Sequence, residues 1–133
     1  MDIDKLEGEA LAEAICQARD IELLKDPRVF GEELPDHETY YVYHNTYHNT
    51  RRVRRVDPHG DYDYCPYKDI AQAWELMEEM DAGGKYVELH NHYTPGQEWC
   101  CLVNPLGTNG AGAIGTTAPV AICRAFLKAK AAQ

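Results

Sequence analysis

The sequence lacks any long hydrophobic run. No stretch approaches the roughly 20 apolar residues that a helix needs to cross a bilayer. The first ten residues, MDIDKLEGEA, are acidic, whereas a secretory signal begins with basic residues. These absences predict a soluble, cytoplasmic protein with no membrane partner. With 133 residues, the chain is long enough for one domain with its own core, which we place at residues 1–133.

Regular cysteine spacing is also missing. The chain has five cysteines, an odd number that does not describe a disulfide framework. Cys16 and Cys123 fall on the apolar faces of predicted helices. Cys100 and Cys101 are neighbours on a predicted strand, so they point to opposite faces and cannot easily share a metal. We therefore expect reduced cysteines that belong to the core.

Catalytic signatures are absent as well. The sequence contains no GxSxG or HExxH motif, no nucleophile beside a base and no pair of carboxylates in a defensible arrangement. This absence favours a binding protein over an enzyme without excluding one.

Positive charge is scarce and unevenly placed. The net charge is −9, which disfavours general nucleic-acid binding and favours a basic partner. Four arginines, Arg51, Arg52, Arg54 and Arg55, form one cluster, and removing their charges from the net charge of −9 leaves −13 for the rest.

Two amphipathic helices organise the chain. The first is predicted at residues 66–80, with Asp69 near its positive end and Gly83-Gly84 just past its end. Its apolar stripe comprises Ile70, Ala73, Trp74, Met77 and Met80. The second is predicted at residues 115–129, capped by Thr116 or Thr117. Its stripe comprises Pro119, Ile122, Cys123, Phe126 and Leu127. We expect both helices to cover one sheet.

Shorter patterns fill in the remaining elements. An N-terminal helix is predicted at residues 4–19, with Asp4 and Glu7 spaced as in a capping box. Strands are predicted near 39–45 and 50–56, around two copies of YHNT, and again at 85–93 and 97–103 around a turn at Thr94-Pro95-Gly96. The segments 21–38, 57–64 and 104–117 are predicted as loops. The expected fold class is a single-domain α+β sandwich with helices packed on an antiparallel sheet.

The two helical blocks also resemble a known family. YKDIAQAWELMEEM and TAPVAICRAFLKA, preceded by LEGEALAEAI, are similar to blocks of the phage ABA sandwich domain family. Tyr67 and Lys68 depart from its usual small hydroxyl residues before the central helix. The resemblance implies this sandwich fold and a phage or prophage setting. It implies packing roles for Trp74 and Pro119, and brings no catalytic residues. Residues 21–64 have no evident counterpart, so we interpret them as an insertion that carries a hairpin near 39–56.

The arginine cluster is the main candidate for a ligand site. Its members, Arg51, Arg52, Arg54 and Arg55, follow His44 and His48 on the predicted hairpin. Guanidinium groups bind phosphates, and aromatic rings stack on bases. A site for a nucleotide or another phosphorylated molecule is one interpretation. The other is that the arginines pair with acidic residues at an intramolecular or subunit interface.

A weaker candidate is a metal site at Glu88, His90 and His92. Alternate residues of a strand share a face about 7 Å apart, and zinc accepts such ligands together with one more, such as His44, His59 or Asp61. A polar strand face explains the pattern equally well. The acidic segment 57–63 and the glycine-rich segment 107–117 match neither an EF-hand nor a phosphate-binding loop.

The sequence thus predicts a phage-encoded, non-enzymatic binding protein without a required cofactor. The favoured partner is a host defence protein inhibited through an acidic surface. One alternative is sequestration of a phosphorylated signal molecule by the arginine hairpin, and another is a metal-dependent hydrolase. A minor virion component and a homo-oligomer also remain open.

Overall fold

The computed structural model describes residues 2–25, 39–45, 51–57, 60–104 and 110–132. The side chains of Lys25, His44, Asn45 and Arg51 lie outside this description. The helices are α1 (Gly8–Ala18), α2 (Ile70–Ala82) and α3 (Ala118–Ala131), with a 3-10 helix at Ile3–Lys5 before α1. The strands are β1 (Leu23–Lys25), β2 (Tyr40–Asn45), β3 (Arg51–Asp57), β4 (Gly60–Asp63), β5 (Val87–Asn91), β6 (Trp99–Val103) and β7 (Ala111–Gly115).

These strands form two open sheets. The first has the order β1-β2-β3-β4 and the second the order β5-β6-β7. All neighbouring strands are antiparallel except β1 and β2, which are parallel. α3 packs on β6 and β7, while α2 packs mainly against α3 and reaches β5. The α+β class is confirmed. Both helices contact the second sheet as expected, although α2 does so mainly at β5.

Both predicted hairpins are present. β2 pairs with β3 in a register that sets Tyr40 opposite Val56, and β5 pairs with β6 with Val87 opposite Val103. The turn at 94–97 closes with a hydrogen bond of 3.0 Å from the Gln97 N–H to the Thr94 carbonyl, and Gly96 supplies a positive φ of 79°.

Three strands lie where loops were predicted. β1 falls in the segment 21–38, β4 in 57–64 and β7 in 104–117. β7 was missed because alanine and glycine have low strand propensity. The fold nevertheless requires small residues there: a Cβ at Gly115 would lie 2.8 Å from the backbone nitrogen of Ala121 in α3.

α2 begins later than predicted, and its buried face overlaps only partly with the predicted stripe. Asp69 is its N-cap, and one carboxylate oxygen accepts the N–H groups of Ala71 at 2.9 Å and Gln72 at 3.2 Å. The helix ends at the predicted glycines. Its buried face comprises Gln72, Ala73, Leu76 and Met80. The predicted packing of Ile70 and Trp74 is wrong, because they are 52% and 50% exposed.

α3 agrees well with its prediction. Thr117 is the N-cap, and Pro119 lies in the first turn. Its buried residues include four of the predicted stripe: Ile122, Cys123, Phe126 and Leu127. The predicted start of α1 is wrong, since the helix begins at Gly8 with a positive φ of 55° and Glu7 makes no side-chain cap.

Glu9, in the first turn of α1, joins separate parts of the core. One carboxylate oxygen accepts the backbone N–H of Val53 in β3 at 3.0 Å, and the other accepts the hydroxyl of Tyr67 at 2.7 Å. Burial, followed by this hydrogen bond, raises the pKa of Tyr67. Tyr67 therefore stays protonated and keeps donating throughout the physiological pH range.

Gln72 makes a similar link between α2 and the first sheet. It is 6% exposed. Its carbonyl oxygen accepts the N–H of Cys65 at 2.6 Å, and its amide nitrogen donates to the carbonyl of Asp63 at 2.9 Å. One side chain thus satisfies two backbone groups where β4 leads into α2.

Replacing Gln72 with leucine should lower the free energy of unfolding by about 2 to 3 kcal/mol, because it leaves a backbone donor and a backbone acceptor without hydrogen-bond partners away from water. Urea denaturation measures the change. Gln17→Leu on the exposed face of α1 is the matched control and should stay near wild type. Equal stability of the two variants would contradict the linking role of Gln72.

All five cysteines are free thiols. Burial raises the pKa of Cys16, Cys101 and Cys123 to about 12, and it also raises the pKa of Cys65. Cys100, on the opposite face of β6 from Cys101, is partly exposed. The predicted placement of Cys16 and Cys123 in the core is confirmed.

The native protein should react with a thiol reagent at about one site per chain near pH 8, because raised pKa values keep the buried thiols protonated and unreactive there. Cys100→Ser should remove this reaction, while denaturant should expose all five cysteines of the wild type. The reagent releases an aromatic thiol, and the absorbance of that product gives the number of reacted cysteines per chain. Rapid reaction of the native Cys100→Ser variant would contradict the assignment.

Candidate protein-binding surface

The arginine hairpin is held by carboxylates of the same chain. Arg54 donates from Nε to Asp61 and from a terminal nitrogen to Asp63, both at 2.8 Å. Arg52 reaches the second oxygen of Asp63 at 3.4 Å. Arg52 and Arg54 therefore share one face of β3, as period-two spacing predicts.

Arg55 lies on the opposite face and contacts α2. A terminal nitrogen lies 3.3 Å from the carboxylate of Glu75, and the guanidinium carbon lies 5.8 Å from the ring centres of Tyr41 and Tyr62. The three described arginines of the cluster are thus already paired. A phosphate would have to compete with the carboxylates for them.

The other residues of this candidate site are only partly described. The backbones of His44 and Arg51 lie in β2 and β3, opposite Arg52 and Asn45, but their side chains lie outside the described part. His48 lies outside it entirely. The proposed grouping of these side chains stays a prediction.

The candidate zinc ligands lie on and just after β5. His90 Nε2 is 2.9 Å from a carboxylate oxygen of Glu88, and the rings of His90 and His92 stack with centres 6.2 Å apart. Among the described residues, no three side chains of His, Cys, Asp or Glu are arranged to hold a metal ion. His59 lies outside them, and Asp61 belongs to the other sheet and binds Arg54. The zinc site stays a prediction.

A groove between α2 and the start of β5 was not anticipated from the sequence. Its volume is about 290 Å³. Four apolar or aromatic residues and two acidic residues line it: Trp74, Met77, Tyr86, Val87, Glu78 and Asp81. Trp74 is 50% and Tyr86 63% exposed. We call this feature the α2 groove.

A sequence signal for the α2 groove does exist. Trp74, Met77, Glu78 and Asp81 follow the spacing i, i+3, i+4, i+7, which places them on one helical face. The prediction instead placed Trp74 and Met77 in one buried stripe with Ile70, Ala73 and Met80. Of that stripe Ala73 and Met80 are buried, and Leu76 completes the buried face with them. The mixture of aromatic and acidic residues distinguishes the exposed face.

In the part of the chain that the structure describes, three α-helices and two open sheets define a single α+β domain. Residues 29–127 match the family model named Phage ABA sandwich domain, and the chain therefore belongs to that family, as its helical blocks suggested. The match extends through most of residues 21–64, including the arginine hairpin. No curated protein and no solved structure matches the chain. None of the described helices has the length and apolarity to cross a membrane.

Arg54→Gln should lower the free energy of unfolding by about 0.5 to 1 kcal/mol at low salt, because it leaves Asp61 and Asp63 without their shared cation. About 0.5 M NaCl should reduce the effect, since these groups are partly exposed and salt screens them. Urea denaturation at both salt concentrations measures it. Lys85→Gln, which also removes one positive charge, is the control. A larger loss in that control would contradict the pairing.

Proposed function

We propose that this phage protein is a non-enzymatic binder that engages a basic surface of a host protein in the cytoplasm of the infected bacterium and thereby inhibits a defence system. The observation that carries the proposal is the exposed face of α2, which combines Trp74 and Met77 with Glu78 and Asp81. Such a face offers apolar contact area and negative charge together.

Charge distribution supports this choice. α2 contains no lysine or arginine, and the net charge of the chain is −9. Arg54 forms ion pairs with Asp61 and Asp63, and Arg55 pairs with Glu75. These arginines are therefore not free to neutralise the acidic face of α2. Complementary charge speeds association with a basic partner and makes it sensitive to salt.

The aromatic residues support protein binding more than an acidic surface alone would. Tryptophan, tyrosine and methionine are enriched in the central parts of protein interfaces. A lysine or arginine of the partner also gains by lying over an aromatic ring. The α2 groove provides Trp74 and Tyr86 for this contact, with Glu78 and Asp81 beside them.

The anti-defence role follows from the phage family and from the absence of a catalytic signature in an acidic chain of this size. Sequestration of a nucleotide by the arginine hairpin is the alternative. It requires a phosphate to displace Asp61, Asp63 or Glu75 from the arginines, so we rank it second. A metal-dependent hydrolase at Glu88, His90 and His92 ranks third.

The proposal predicts salt-sensitive capture of a basic host protein. Immobilised protein should retain an identifiable host protein of high isoelectric point at low salt and release it near 0.5 M NaCl, because salt screens the attraction. The purified partner should lose activity when the phage protein is added. Native mass spectrometry of the wild-type complex measures its stoichiometry.

A charge-reversed variant provides the matched comparison. Glu78→Lys with Asp81→Lys should abolish capture, whereas Glu7→Lys with Glu22→Lys changes the net charge equally at exposed positions beside α1 and should retain it. Loss of capture in both would attribute binding to net charge alone and contradict the α2 face. A nucleotide-sized mass on the gently purified protein would instead favour the arginine hairpin.

A further inference from the structure

The backbone groups at the outer edge of β5 can be assigned from two hydrogen bonds that continue its ladder with β6. Asn104 N–H donates to the Tyr86 carbonyl at 2.7 Å, and His92 N–H donates to the Glu98 carbonyl at 2.6 Å. Hydrogen-bonded and non-hydrogen-bonded pairs alternate along an antiparallel ladder. The N–H and C=O groups that point away from β6 are therefore those of Val87, Leu89 and Asn91.

The opposite edge of the same sheet is closed by α3. Lys128 Nζ donates to the Gly112 carbonyl at 3.0 Å, and an Arg124 terminal nitrogen donates to the Ile114 carbonyl at 3.0 Å. These cations satisfy the outward carbonyls of β7. Within the described part of the chain, β5 has no neighbour beyond β6 and no such caps on its outward groups.

The α2 groove lies directly beside this open edge, because Val87, the first residue of β5, and Tyr86 just before it line the groove. A strand added to β5 would direct alternate side chains towards α2, since successive side chains point to opposite faces. A lysine or arginine there could lay its aliphatic stem on Trp74 and Met77. Its charged end would then meet Glu78 or Asp81.

We infer that β5 and the α2 groove together receive an extended, basic segment of the partner, which adds as a fourth strand to the second sheet. The inference rests on the proposed function and specifies how the basic partner is recognised. Backbone hydrogen bonds to Val87, Leu89 and Asn91 supply the strand pairing. The groove selects a positively charged side chain among those that face α2.

Charge favours this occupant over a second copy of the chain. Antiparallel pairing of two β5 strands about a two-fold axis would place both α2 helices on the same side of the joined sheet. The carboxylates of Glu78 and Asp81 would then approach those of the other copy. Like charges oppose that arrangement, whereas a basic segment neutralises them.

A synthetic peptide of about eight residues with alternating lysine and valine is the first probe. It should bind the full-length protein, and the same peptide with glutamate for lysine should bind at least about tenfold more weakly. Fluorescence anisotropy of the labelled peptides measures both affinities. Equal binding of the two peptides would overturn the role of the α2 groove.

Methylated peptides test the strand pairing. Each edge of a strand uses the N–H groups of alternate residues, so methylating all lysine nitrogens of the backbone blocks one edge and methylating all valine nitrogens blocks the other. One methylated peptide should lose binding and the other should keep it. Equal affinity of both would show that no edge of the peptide pairs with β5.

Hydrogen exchange measured by NMR locates the contact on the protein. In the free protein, amides 87, 89 and 91 should exchange quickly, while amides 88 and 90 are protected by β6. The lysine peptide should slow the first set and leave the second unchanged. No slowing would overturn the inference, and protection that rises with protein concentration without peptide would identify a second copy as the occupant.

The two proposals fail in different ways. If a basic host protein is captured but leaves amides 87, 89 and 91 unprotected, strand addition is wrong and the proposed function stands. If the lysine peptide protects them but no basic host protein is captured, the binding mode stands and the proposed host target is wrong.

Discussion

The close packing of α3 on β7 is the constraint on which the rest of the fold depends. At Gly115 the two elements are so near that a Cβ would lie 2.8 Å from the Ala121 nitrogen. This approach explains why a strand is built from AGAIG, a sequence with little strand propensity of its own. α3 also contacts α1 and α2, so its position on the sheet determines where the other helices lie. The exposed face of α2 is a consequence of that arrangement.

Local sequence patterns predicted those elements that depend on local interactions. Asp69 and Thr117 cap α2 and α3, glycines end α2, and both hairpins occur near their predicted positions. β4 and β7 were missed because their composition is loop-like, although each pairs in register with the strand that precedes it, β3 and β6. Likewise, helical spacing alone could not show which side of α2 faces α3.

The candidate sites differ in how far sequence could define them. The arginine cluster was evident from composition, but its pairing with Asp61, Asp63 and Glu75 depends on the three-dimensional arrangement of β3, β4 and α2. The α2 groove depends on Trp74 in α2 and Tyr86, just before β5, lining the same space. The helical spacing of its α2 residues could be recognised in the sequence. The position of Tyr86 and Val87 next to them depends on the three-dimensional fold.

The hydrogen bonds that Arg124 and Lys128 donate to β7 carbonyls limit how further strands can add to the second sheet. A sheet with two open edges can add strands in both directions and grow without end, which is how fibrous assemblies form. With the outward carbonyls of Gly112 and Ile114 in β7 already occupied, a strand pairs more favourably at β5 than at β7. Growth from both edges is thereby disfavoured, and a single addition at β5 gives a discrete complex.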